Sequence, residues 1–168
     1  MRLSALAVFV LLAASLAFAE DSPAGTLSGG VSTRAPAFIE KDITGKQTVS
    51  LEGYRGKVVM LNFWGPWCQP CRTEVPALKR LQDKYRGKLV IVGAAVFSSD
   101  DAVDLFYRDF SINYPVISGS YDLMDKYGRI SVFPTTILID THGVIAARLV
   151  GAGTTEQFET ALKPLLAE

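Results

Sequence analysis

A chain of 168 residues in which 17 basic and 17 acidic side chains cancel has no basic stripe for nucleic acid and no run of like charge, so charge names no partner. With only two cysteines it also lacks the disulfide framework that staples many small exported domains. Its length fits one domain with a real apolar core.

Residues 1–19, "MRLSALAVFVLLAASLAFA", read as a signal peptide. Arg2 is a minimal positive region, Leu3 to Phe18 is almost wholly apolar, and Ala17-Phe18-Ala19 is a cleavage pattern. The run is short for a membrane span, which needs about 20 apolar residues, so cleavage before Glu20 is expected and an uncleaved anchor is the competing reading. No cysteine stands near the cleavage site to take a bacterial-type lipid. The expected location is periplasmic, or otherwise exported. Residues 20–34 are rich in Gly, Ser, Thr and Pro and read as a flexible leader, with the folded domain at 35–168.

The domain opens with "AFIEKDITGKQTVSL", which alternates loosely and breaks at Thr44-Gly45-Lys46, as a β-hairpin would. "KVVMLNF" is a run of β-branched and apolar residues typical of a buried strand. Beyond the cysteines, Val75, Leu78, Leu81 or Gln82, and Tyr85 recur at helical spacing until Gly87, with Pro76 expected to kink the helix. "KLVIVGAAV" is a second buried strand, so strand, helix and strand form a right-handed parallel βαβ unit. Ser98 or Ser99 caps a helix through Phe110, whose apolar face holds Val103, Phe106 and Phe110. "YPVIS" reads as a short strand or a loop, and "SYDLMDKYG" as a short helix ending at Gly128. After Pro134, "TTILID" turns at Thr141-His142-Gly143 into "VIAARLV", which Gly151-Ala152-Gly153 breaks. Thr154 and Gln157 have capping-box spacing and open a last helix that buries Phe158, Ala161 or Leu162, and Leu165. Pro164 is expected to end or bend it. There are no internal repeats. The sum is an α/β fold: a mixed central sheet, parallel in its first half and antiparallel in its second, with helices on both faces.

Both cysteines lie in "NFWGPWCQPCRTEVPAL", between the first buried strand and the first helix. A bridge between Cys68 and Cys71 closes a tiny loop and gains little stability, so the pair is not there for structure. Cys68 falls at the helix N-terminus, where unpaired N–H groups and the dipole favour a thiolate. Cys71 lies one turn further in, within reach of Cys68. Pro70 suits a first turn, where its missing N–H has no partner to lose. Cys68 can therefore attack a disulfide and Cys71 resolve the mixed disulfide. Trp67 is expected beside the pair as a partly exposed apolar surface for a protein partner.

That segment, together with "VFPTTILIDTHGVI", resembles the thioredoxin superfamily, and more closely its exported TlpA/ResA-like thiol–disulfide oxidoreductases, over nearly all of the chain from Ala35 on. The resemblance implies a thioredoxin-like fold and a cis peptide bond before Pro134, which packs against the cysteine pair and whose neighbouring backbone pairs with the substrate strand. It implies a role in proton transfer for Glu74, three residues after Cys71; from the residues alone, Glu74 is equally an exposed first-turn acid favoured by the helix dipole. Thioredoxin has a buried aspartate where this chain has Asn62, which cannot ionise. Gln69-Pro70 replaces its Gly-Pro, and both this pair and Phe133 are positions that tune potential or partner choice. The resemblance also implies a reductant of disulfide-bonded exported proteins, cytochrome c precursors among them, recharged by a membrane thiol transporter.

Other readings fit less well. Structural zinc wants four ligands, and the chain offers two cysteines and His142 in a tight turn. Two soft thiolates suit Cu(I), so copper delivery is the alternative from another class, beside a disulfide oxidant on the same two sulfurs. A peroxiredoxin needs a threonine three residues before its cysteine, and here those positions are Gly65 and Cys68. A binding-only module would not require both thiols. No metal or organic cofactor is expected, and the oligomeric state is left open.

Overall fold

The computed structural model describes residues 33–167. The proposed signal peptide and all of the leader except Thr33 and Arg34 lie outside these residues. Thr33 and Arg34 already pair with the chain: the Thr33 carbonyl accepts from Ile145 N–H, and Arg34 bridges to Val144. No helix among the described residues is long and apolar enough to cross a membrane.

Strands β1 (Ile39–Lys41) and β2 (Thr48–Ser50) form the expected hairpin as a separate two-stranded sheet, followed by a 3₁₀ turn at Glu52–Tyr54. Then come β3 (Val58–Trp64), α1 (Gln69–Lys84), β4 (Leu89–Ala95), α2 (Asp100–Asp109), β5 (Val116–Ser118), α3 (Tyr121–Lys126), β6 (Thr135–Ile139), β7 (Ile145–Val150) and α4 (Thr155–Leu166). The main sheet has the order β5-β4-β3-β6-β7. β3 pairs parallel with β4 and antiparallel with β6. β5, the "YPVIS" segment, is a strand parallel to β4, so a second βαβ unit follows the first. This is the thioredoxin-like fold expected from the sequence.

β3 is central and buried along its whole length, which is why it reads as an unbroken apolar run. Its side chains alternate between two cores. Val58, Met60 and Trp64 face α1, α2 and α4, whereas Val59, Leu61 and Phe63 face α3, β2 and the segment around Phe38. By that alternation Asn62 points to the α1 side, amid apolar neighbours. Leu81 and Phe158 are fully or almost fully buried in this layer, and truncating either would cost about 2–5 kcal/mol.

The helix boundaries follow local chemistry. Ser99, Ser120 and Thr154 cap α2, α3 and α4, and Thr154 with Gln157 completes the capping box. Gly87, at φ 90°, turns the chain after α1. Pro76 does not break α1, which continues to Lys84. Pro164 does not end α4 either, since the helix runs two residues further, to Leu166. An interior proline forfeits its own bond to the preceding turn and crowds the carbonyl four residues back, and the packed apolar faces of both helices outweigh that loss.

Candidate active site

β3 delivers the chain to the rim of the sheet at Trp64. The loop Gly65-Pro66-Trp67 closes with Cys68 N–H donating to the Gly65 carbonyl at 3.0 Å. Cys68 is the N-cap of α1, with extended backbone at φ −86° and ψ 107°. Its Sγ accepts from the Cys71 backbone N–H at 3.3 Å, as a capping oxygen would. The two sulfurs are joined as a disulfide. Pro70 is the second residue of the helix, where an N–H would have no intrahelical acceptor. Cys68 is 5% exposed and Cys71 only 1%, so an incoming group reaches Cys68 first.

Two side chains hold this loop. The Arg72 guanidinium donates to the Pro66 carbonyl at 3.1 Å and lies over the rings of Phe106 and Phe110, 5.3 and 5.0 Å from their centroids. Trp67 lies against Gly65 so closely that a Cβ there would stand 2.6 Å from the indole. Its ring is 55% exposed and meets Phe133 edge-on at 5.7 Å. The antiparallel register sets Phe63 opposite Thr135, which brings Phe133 and Pro134 to the same rim. The Phe133–Pro134 bond is cis, as the resemblance implied, and Pro134 is buried with its carbonyl accepting from Gly151 N–H.

Glu74 is 2% exposed, so its reading as an exposed first-turn acid is overturned. The helix turns it inward because positions 71, 74, 75 and 78 share the face that packs on the sheet. Its carboxylate accepts from Asn62 Nδ2 at 2.9 Å and from Gly153 N–H at 3.3 Å. Asn62 Nδ2 also donates to Thr136 Oγ1 at 2.9 Å, across the β3–β6 pair. Burial pushes the Glu74 carboxyl up to about 7, against the two donors, which pull it down. Tyr114 is buried nearby; burial raises its phenol and the Glu74 charge raises it further. A carboxyl that titrates near neutrality, one helical turn from Cys71, can take or return a thiol proton.

Asn62 as a donor, Thr136 and Gly153 were not foreseen as parts of the site. For Asn62 and Thr136 the signal was available: strand alternation puts an amide and a hydroxyl on a face that is otherwise apolar, where each needs a partner. Gly153 read only as a strand breaker, because its N–H meets Glu74 through the tertiary fold alone.

His142 lies in the β6–β7 turn, where its N–H donates to Asp140 Oδ1. That turn is at the far end of β6 from Pro134, about 17 Å away at the rise of a strand. Among the described residues no group of three or more His, Cys, Asp or Glu is placed to share a metal ion. His142 thus lies too far from the pair to add a third ligand to its two sulfurs.

The Redoxin family model matches residues 30–163. The chain is 36% identical over 137 residues to the thiol–disulfide oxidoreductase ResA of Bacillus thuringiensis subsp. konkukian, covering 80% of this chain and 78% of that protein. It is 36% identical over 132 residues to the thioredoxin-like protein YneN of Bacillus subtilis, covering 77% and 76%. Among solved structures, a thiol:disulfide interchange protein of the thioredoxin family from Chlorobium tepidum superposes with a TM-score of 0.76 at 28% identity, over 83% of this chain and 99% of that one. A putative thiol:disulfide interchange protein DsbE from the same organism gives 0.73 at 27%, over 80% and 96%.

Proposed function

The chain belongs to the redoxin family, as a TlpA/ResA-like protein-disulfide oxidoreductase of the thioredoxin superfamily, and from that premise we propose that it is an exported reductant of protein disulfides. In the reduced protein Cys68 attacks as a thiolate, stabilised by the N–H groups of the first turn of α1. A bond forms between Cys68 Sγ and one substrate sulfur, the substrate disulfide breaks, and the other substrate sulfur leaves as a thiolate. Cys71 then loses its proton and attacks Cys68 Sγ. The mixed disulfide breaks, the second substrate sulfur leaves, and Cys68–Cys71 is oxidised. Two electrons pass to the substrate, and the two protein thiol protons end on the substrate sulfurs. Glu74 takes the proton from Cys71 as it becomes a nucleophile. Pro134 and Trp67 form the wall against which the substrate lies, and Pro70 shapes the first turn.

The observation that carries this reading is the capping geometry of Cys68, with the Cys71 N–H pointed at its sulfur and the Glu74 carboxyl buried one turn below. Export rests on residues 1–19 and their cleavage pattern. The direction of electron flow rests on the likeness to ResA, and cytochrome c precursors as substrates rest on the TlpA/ResA resemblance of the sequence alone. In an oxidising exported compartment the electrons must be resupplied, and the family resemblance implies a membrane thiol transporter as their donor.

The test is the equilibrium potential of the Cys68–Cys71 pair against glutathione. A value near that of thioredoxin, about −270 mV, supports a reductant. A value near that of DsbA, about −120 mV, would replace it by an oxidant.

A further inference from the structure

Among the described residues seven large apolar side chains are exposed, and the three aromatic ones are linked through Phe133. Trp67 is 55% exposed, Phe97 51% and Tyr121 76%. Three ring contacts join the aromatic ones into a row. Trp67 meets Phe133 at 5.7 Å, Phe133 meets Phe97 at 5.9 Å, and Phe97 meets Tyr121 at 5.1 Å, each edge-on or close to it. The row starts at the residue next to Cys68 and ends over a cavity of about 500 Å³ lined by Phe97, Tyr121, Met124, Ile130 and Phe133. Asp125 and Arg129 stand at the cavity and pair with each other, so no unpaired charge points into it.

Phe97 is held there at a cost. Its φ is 48°, a left-handed conformation that a bulky side chain rarely adopts. Burial does not compensate, since the ring stays half exposed. A strained aromatic residue kept at the surface beside a catalytic centre points to a ligand rather than to folding.

We propose that this aromatic row and its cavity form a specificity subsite for the polypeptide substrate, taking an aromatic side chain close in sequence to the reacting cysteine. The proposal deepens the functional reading and rests on its polypeptide substrate. The occupant follows from continuity: whatever chain presents a sulfur to Cys68 must lie beside Trp67, where the row begins. From the Trp67 ring to the Tyr121 ring is at most about 17 Å, the reach of about five residues of extended chain. The side chain in the cavity therefore belongs to one of roughly the five residues that flank the substrate cysteine. The cavity lining is mostly apolar, with Ser131 and the mutually paired Asp125 and Arg129 as its polar members, so it selects for ring size and hydrophobicity more than for charge.

The experiment uses the reduced protein and short peptides, each with one cysteine blocked as a mixed disulfide with thionitrobenzoate. A single phenylalanine is moved through the five positions on either side of the cysteine, with alanine elsewhere. Release of thionitrobenzoate gives the second-order rate constant. The expected result is a preference of at least about tenfold for phenylalanine at one or two positions over the all-alanine peptide. That preference should fall to about twofold or less in Tyr121→Ser, whose side chain is too exposed to matter for folding, and in Phe97→Asn, where asparagine accepts the left-handed backbone. It should persist in Leu105→Ser, an exposed residue on α2 outside the row. Equal rates for all peptides, or a preference that survives in both row variants, would overturn the subsite while leaving the reductase reading intact. A reduced protein that attacks a small-molecule disulfide but none of the peptides would overturn the polypeptide reading itself, and the subsite with it.

Discussion

Asn62 Nδ2 donates to Glu74 Oε1 at 2.9 Å, from the middle of the central strand to the second turn of the helix that carries both cysteines. The donor faces the carboxyl because β3 alternates and α1 packs directly on it. A buried acid is thereby held in one orientation, with Gly153 N–H on its second oxygen.

The first prediction concerns that acid. Its carboxyl is raised to about 7, above the ordinary carboxylate range, so the folded state binds a proton that the unfolded chain has lost. Stability should therefore fall as pH rises from about 4.5 to about 7 and level off above that, by an amount on the order of 3 kcal/mol. In Glu74→Gln that slope should vanish, at a cost of about 1 kcal/mol at low pH because one amide oxygen cannot serve two donors. Denaturant titrations across this pH range read both effects. The pH profile of Cys71 reactivity should also change, and an unaltered profile would remove Glu74 from proton transfer.

Asn62→Asp places a second carboxyl within 3 Å of the first. Two such groups cannot both ionise in a buried site, so one proton is shared and the pair titrates as a unit. The variant should approach wild-type stability near pH 5 and lose about 2–4 kcal/mol by pH 8. Equal losses at both pH values would show that the asparagine matters only for packing.

The roles of the two sulfurs separate in trapping. Cys71→Ala leaves the more exposed thiol without its resolving partner and should accumulate mixed disulfides with partner proteins in cells. Cys68→Ala leaves only a thiol that is 1% exposed and should accumulate none. Gel mobility with and without reductant distinguishes the two, and equal trapping by both would contradict the assignment.

Gly65→Ala tests the seat of Trp67. The added Cβ would lie 2.6 Å from the indole, closer than any relaxed contact, so the ring must swing away from the loop. Because Trp67 is half exposed, the fold should lose only about 1 kcal/mol while the edge-on contact with Phe133 is broken. A red shift of tryptophan emission, with slower attack on protein disulfides, is the expected outcome. An unchanged spectrum would show that the indole does not rest where the glycine allows it.

The helices, strands and fold class were legible because they rest on local pattern. β3 and β4 read as continuous apolar runs because both of their faces are buried, and α1 announced itself by its spacing from Val75 to Tyr85. Cys68 at a helix start was equally legible, since a strand followed by a capping position and Pro70 leaves little choice of geometry. Pro164 does not end α4, because its penalty is local while the packing that outweighs it is not. "YPVIS" stayed ambiguous because three paired residues are too few for a period to emerge.

What the sequence by itself determined is the order of the elements, the fold they build and the two sulfurs at the head of α1. All of these follow from neighbours along the chain, through apolar spacing, capping residues and the reach of one helical turn. Only the tertiary structure decided that Glu74 is buried, that Asn62, Thr136 and Gly153 surround it or its donor, and that Trp67, Phe133, Phe97 and Tyr121 form one row. Each of those groupings joins residues from different strands, helices and loops. Their contacts arise from sheet order and register, which bring distant segments to one rim and which no single stretch of sequence encodes.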